Sequence, residues 1–171
     1  MASFQLLFLS LALLFCFTYA DLIGDVCSRT RNPTRCSSAL RSDPRSRGAS
    51  LRVLAQISID IASRSVNSGV SLVTSLKNGA KDPKLKGAYS SCLENYQDSV
   101  DSLSKANLDL KKGDFLGVNL QASAADTDID TCDDNFKDLK LPEPANLQAA
   151  SQNAQDLCGI VLVISNILLG H

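Results

Sequence analysis

Glu94, Asp98 and Asp101 recur at steps of four and three, a spacing that aligns three carboxylates along one face of a helix. Ser123, Thr127, Asp130, Thr131 and Asp134 follow further along, a second group of small hydroxyl and acid side chains. Carboxylates serve hydrolases as general acid and base when their surroundings split their pKa values. These acids have no such surroundings: aromatic residues make up 5% of the chain, Trp is absent, and the only His is the terminal His171. A desolvated sugar cleft and histidine-based catalysis are therefore excluded, and the chain reads as a non-enzyme. Without internal His or a CxxC pair it also lacks the ligands of a metal centre, and no cofactor is expected. What remains for the acidic stripe is recognition or plain solvation. Asp98 has Ser102 four residues on, so it has no basic partner there, whereas Asp101 has Lys105, a surface pair of small value.

The charges nearly cancel, 17 Lys and Arg against 18 Asp and Glu in 171 residues, which allows one ordinary domain and offers no polybasic footprint for nucleic acid. Arg41, Arg45, Arg47 and Arg52 cluster, but with Asp43 among them they read as a solvated connection, not a polyanion site. Leu6 to Phe17 is an almost unbroken apolar run ending near Ala20. It is too short for a membrane span and matches a cleaved secretory signal over residues 1–20. Cleavage after Ala20 would leave 151 residues starting at Asp21, with five of the six cysteines. The apolar run Ile160 to Leu169 is interrupted by Ser165 and Asn166 and continues a helical period, so it predicts a buried last helix, not a lipid anchor. Asn32-Pro33-Thr34 resembles a glycosylation acceptor, but its proline blocks the reaction.

Phe115, Val118, Ala122, Ala125, Ile129, Cys132 and Phe136 step three and four alternately, the seam of a core-facing helix. The pattern recurs at Leu147, Ala150, Ala154, Leu157, Val161, Ile164 and Leu168, and at Leu85, Tyr89, Cys92, Tyr96, Val100, Leu103, Ala106 and Leu110. A fourth seam is Ile59, Ala62, Val66, Val70 and Val73. Asn32-Pro33 and Asp82-Pro83 supply helix starts, Gly113-Asp114 a tight turn, and Pro142 and Pro144 a break. The expected fold is all-α: a separate small helical hairpin over residues 21–44, then an up-down-up-down four-helix bundle over 45–171.

The midpoint of Cys92 and Cys132 falls at residue 112, at the predicted turn, so two antiparallel helices bring both to one height on facing seams. A disulfide is assigned there, closing a loop of about forty residues for ~3–4 kcal/mol. Cys27 and Cys36 flank the Asn32-Pro33 turn and would staple the hairpin. Cys158 is left over, as a buried free thiol or, alternatively, a reactive one.

The chain resembles the plant pectin methylesterase and invertase inhibitor family along the length that follows the signal. The resemblance rests on Cys27, Thr30-Arg31-Asn32-Pro33, Cys36, Ser42-Asp43-Pro44-Arg45, Ser58 to Ala62, Asp82 to Gly87, Cys92, Glu94-Asn95-Tyr96, Ser123-Ala124-Ala125, Thr131-Cys132 and Asp156 to Asn166. It implies a secreted helical bundle behind a helical hairpin, with two sequential disulfides and often a fifth, free cysteine. Invertase inhibitors of the family typically carry Pro-Lys-Phe between the second and third bundle helices; here that turn reads Lys112-Gly113-Asp114-Phe115-Leu116. The resemblance therefore points to the pectin methylesterase branch, with an invertase inhibitor or a non-inhibitory secreted homologue as alternatives. In that branch a one-to-one complex covers the enzyme's pectin-binding cleft, through polar side chains of the second and third bundle helices. The matching positions are Glu94, Asp98, Asp101, Thr131 and Asp134, while Asp130 departs from the usual small residue. The expected product is a monomer of the apoplast and cell wall that binds neither nucleic acid nor membrane once the signal is cleaved. Like charges brought together at the interface should tighten binding toward acidic pH.

Overall fold

The computed structural model describes residues 21–171, and the expected signal over 1–20 lies outside that range. Two short helices, α1 (Leu22–Ser28) and α2 (Pro33–Ser42), precede a 3-10 turn at Pro44–Ser46. Four long helices follow: α3 (Leu51–Gly79), α4 (Pro83–Lys112), α5 (Phe115–Asp138) and α6 (Ala145–Leu169). Among the described residues there is no strand. Each long helix packs on its neighbour in sequence, and α6 closes the ring against α3, the up-down-up-down bundle expected of short connections.

Local chemistry sets the helix ends. The Asn32 side chain accepts the Arg35 N–H, Asp82 accepts from Lys84 ahead of Pro83, and Asp114 accepts from Gly117. Gly113 takes the left-handed conformation at φ 79° to end α4, a position where a side chain would be strained. Arg52, near the start of α3, donates from Nη2 to the carbonyls of Leu110 (2.8 Å) and Lys111 (3.0 Å), satisfying acceptors that the end of α4 leaves free.

Ile59, Tyr96, Leu103, Ile129, Phe136, Leu147 and Ile164 are fully enclosed. The apolar seams do not account for the whole interior. Val70, Leu85, Val100 and Leu168 sit half-buried, while Ser58, Ser99, Ser102, Ser151 and Ser165 are buried. A serine is small enough to let helices approach, and its hydroxyl finds a backbone carbonyl or polar partner at the contact. The Ser99 hydroxyl, for example, donates to the Ala125 carbonyl across α4 and α5 at 2.8 Å. By length and composition α6 could span a membrane, yet Leu147, Ala154, Leu157, Val161 and Ile164 are buried in the bundle.

Both expected disulfides are present, Cys27–Cys36 and Cys92–Cys132. Cys158 is a buried free thiol whose pKa is pushed up to about 12, by burial first and by Asp126 second, so it stays protonated. The hairpin is less separate than expected. Ile23, Val26, Cys27, Cys36 and Leu40 join the bundle's own core, because a unit this small has too little apolar surface of its own. Asn32 donates to Asp156 of α6 at 3.1 Å, and Arg35 meets the same carboxylate at 2.9 Å while donating to Asn153. Asp156 is 13% exposed, Arg35 40%, so solvent screens only one side of this pair. Asp156→Ala removes the acceptor of Asn32 Nδ2 and the ion-pair partner of Arg35 Nε, and is expected to cost ~2 kcal/mol in urea melts. An unshifted midpoint would show that the hairpin is held by its apolar contacts alone.

Candidate functional site

The rotation of α4 is fixed by what it buries. Tyr89, Cys92, Tyr96, Ser99, Leu103 and Ala106 face inward, which turns Glu94, Asp98 and Asp101 outward, and all three are exposed. Cross-links hold this setting: the Cys92–Cys132 bridge, the Ser99–Ala125 bond, and Tyr96 Oη against Ser151 Oγ at 3.1 Å. On α5, Thr131 and Asp134 are likewise exposed beside the buried Cys132 and Asp133.

The two polar groups meet along one margin. Asn135 donates to Ser91 across α4 and α5 at 3.0 Å, and one heptad along each helix Asp98 faces Asp128. Burial, and then the Asp98 charge, raise the Asp128 carboxyl above its ordinary pKa. Asp128 was not singled out in the sequence. Part of its signal was present, since the antiparallel pairing that aligns Cys92 with Cys132 places residue 98 opposite residue 126, two positions from Asp128.

The second polar group is divided by the curvature of α5. Thr131 donates to the Thr127 carbonyl at 2.8 Å, one helical turn from Asp128. Asp134 is paired with Lys137 at 2.7 Å, and Asp130 accepts from Gln155 of α6, so these two point around the helix away from α4. The ion pairs of the described residues do not include Asp101 with Lys105, which leaves Asp101 available. At the turn end of the same pair, Leu108, Leu116 and Leu120 are 52%, 56% and 60% exposed. Leu116 and Leu120 lie off the α5 seam at a spacing of four, a sequence signal that the seam itself conceals.

Among the described residues, three of the four clustered arginines are used internally, and Arg47 alone is not. Arg41 bonds Asp21, Arg45 bonds Asp43 and Asp60, and Arg52 holds the α4 carbonyls. Arg45 holds the Asp43 carboxyl down to about 2. A polyanion site would need these guanidinium groups free.

The family profile described as "Plant invertase/pectin methylesterase inhibitor" matches residues 21–164. The chain belongs to this family. Within it, the chain is 48% identical over 149 residues to the pectinesterase inhibitor of Actinidia deliciosa, covering 87% of this chain and 80% of that one. Pectinesterase inhibitor 2 of Arabidopsis thaliana is 36% identical over 146 residues, covering 85% and 83%. A crystal structure of a mutant form of a pectin methylesterase inhibitor from Arabidopsis superposes with a TM-score of 0.73 at 33% identity, covering 83% of this chain and 93% of that one. Against that family background, the outward face of α4 and the adjoining edge of α5 form an exposed acidic surface on a rigid, disulfide-braced helix pair. Such a surface accepts hydrogen bonds from a partner without rearranging itself, which limits the entropy lost on association.

Proposed function

We propose that this protein is a secreted inhibitor of plant pectin methylesterase that docks one-to-one across the enzyme's pectin-binding cleft through α4 and α5. It is an enzyme inhibitor and not an enzyme. The observation that carries the docking mode is the exposed, unpaired row Glu94, Asp98 and Asp101, with Thr131 beside it and Asp134 further around α5. A cleft that receives an acidic polysaccharide presents donors spaced for carboxylates and hydroxyls, and this row offers both on a helix that does not need to move. The stripe thus partly imitates substrate. In this reading residues 1–20 are the export signal, 21–44 the hairpin that braces α6, and 45–171 the bundle that binds, with the monomer acting in the apoplast and cell wall.

The test is residual activity of a plant pectin methylesterase and of an acid invertase after incubation with the oxidised protein, near pH 5 and near pH 7. Loss of esterase activity alone is expected, and stronger near pH 5. A carboxylate pressed against the acidic groups of a catalytic centre takes up a proton more readily in the complex, so affinity rises as pH falls. Asp98→Ala and Asp101→Ala should each weaken inhibition about tenfold, equivalent to ~1.4 kcal/mol, without shifting the melting temperature. Full inhibition by both variants would assign the stripe to solvation, and inhibition of invertase alone would reverse the choice of target.

A further inference from the structure

Asp133 and Glu143 place two carboxyl groups within hydrogen-bonding reach of each other at the end of the bundle. Asp133 is on α5 and 9% exposed, whereas Glu143 stands between Pro142 and Pro144 in the connection to α6. Asp133 Oδ1 and Glu143 Oε1 are both shielded from solvent, and neither has a donor among the described residues. Two ionised carboxylates cannot satisfy one another, because each only accepts hydrogen bonds. One added proton turns the facing oxygens into a donor and an acceptor.

The surroundings decide which member holds that proton. Tyr96 Oη lies 3.1 Å from Ser151 Oγ, and burial raises the Asp133 carboxyl above its ordinary pKa while the Ser151 hydroxyl of α6 and a shared proton from Glu143 oppose that rise and favour its charge. The tyrosine stays protonated, its pKa raised to about 12 by burial. From α4, Tyr89 also faces Glu143, and from α5, Lys137 and Asp130 act on the pair with opposite signs. Burial first, and the Asp133 charge second, push the Glu143 carboxyl up to about 7. Glu143 is therefore the donor.

The segment these groups hold is itself under strain. Lys140 takes φ 53°, a left-handed conformation that costs a side-chain-bearing residue of order 1 kcal/mol, while the Leu141 N–H closes back on the Phe136 carbonyl at 2.9 Å. We propose that Asp133 and Glu143 form a proton-sharing latch that holds the Leu139–Pro144 connection against the bundle in acid and releases it near neutrality. Above the release both carboxylates are charged and buried side by side, and the strained connection opens to hydrate them. The latch rests on the fold alone and is independent of which enzyme the protein inhibits.

The sign follows from the protons bound. An open connection exposes an ordinary glutamate of pKa 4.5, while the latched one keeps its proton up to about 7, so between those values the latched form carries the extra proton. Its opening constant must then rise with pH by up to roughly tenfold per unit across that window and level off above it. Hydrogen exchange of the Lys140 and Leu141 amides in the full chain, corrected for the intrinsic pH dependence of exchange, reads this constant directly. Wild type should show the rise between about pH 5 and about pH 7. Glu143→Gln, whose amide N–H replaces the shared proton, should stay protected and flat with pH, and Glu143→Ala should be open and flat. A flat wild type, or a Gln variant that rises in parallel with wild type, would overturn the latch.

Discussion

Removing the Cys92–Cys132 bridge by Cys92→Ala with Cys132→Ala is expected to lower unfolding stability by about 4 kcal/mol. The bridge spans a sequence separation of 40 and joins helices that also pack along their full length, so the native bundle needs no rebuilding to lose it. The loss comes from the unfolded chain, which regains the freedom to separate α4 from α5. The hairpin bridge, with a separation of 9, restricts a far smaller loop and is worth ~2.5 kcal/mol by the same reasoning. Cys92 and Cys132 are fully buried, so truncation to Ala adds a small packing defect in the same direction. Against a typical total of about 5–15 kcal/mol, the variant should keep its helices at room temperature but unfold at a much lower urea midpoint. A midpoint equal to that of the oxidised wild type would mean that packing alone holds the unfolded pair together.

Gly69→Ala is expected to destabilise the protein by ~3 kcal/mol, although alanine is the better helix former. Helix propensity favours the change by ~1 kcal/mol. Packing opposes it: a Cβ at residue 69 would lie 2.1 Å from Tyr96 Cε1 and 2.6 Å from Cδ1. The Tyr96 ring is wholly enclosed and tied to Ser151, so it cannot swing aside as the tip of a flexible side chain would. Separating α3 from α4 enough to admit the methyl strips contacts along both helices, and this cost exceeds the propensity gain. Gly87→Ala is the control, since nothing lies within 4 Å of a Cβ at that exposed helical position, and it should stabilise by up to ~1 kcal/mol. Thermal melts of the two variants should move in opposite directions. Adding Tyr96→Leu to Gly69→Ala should cost less than the sum of the two single changes, whereas a strictly additive double variant would place the strain elsewhere.

The Gly69–Tyr96 contact marks where sequence reading stops. Apolar periodicity located all four long helices because each must bury a continuous stripe, and Asp82 and Gly113 marked the ends of α4, as Asn32 marked the start of the short α2, because caps and left-handed turns depend on local chemistry. The disulfides were legible for a related reason: antiparallel helices leaving a known turn fix which residues share a height. A mid-helix glycine, by contrast, reads only as a weak point until the ring that fills its space is known. Ser99 and Ser151 stand off the apolar seams for the same reason, their burial depending on a neighbour far away in sequence. On the candidate face, the outward turn of Glu94, Asp98 and Asp101 followed from the seam of α4. Asp128 depends on how α5 is rolled against α4, which no spacing on α5 alone reveals, whereas Asp134 with Lys137 is an ordinary pair three residues apart on one helix. Asp133 with Glu143 was hidden further still, since it joins a helix to a connection whose path is set by two prolines and a left-handed lysine.

The ring of helices also imposes an order of assembly. As the chain leaves the ribosome, α3, α4 and α5 each find the preceding helix already present, and such near-neighbour contacts form quickly. The open flank of α3 has no cover until α6 is made, and Asn32 waits 124 residues for Asp156. The first-made hairpin is thus among the last parts to be anchored. A chain interrupted before α6 exposes apolar seams and an unheld N-terminal segment together, the kind of surface that chaperones retain and proteases cut. Burial of the seams and anchoring of the N-terminal segment are therefore completed together, by the last helix made.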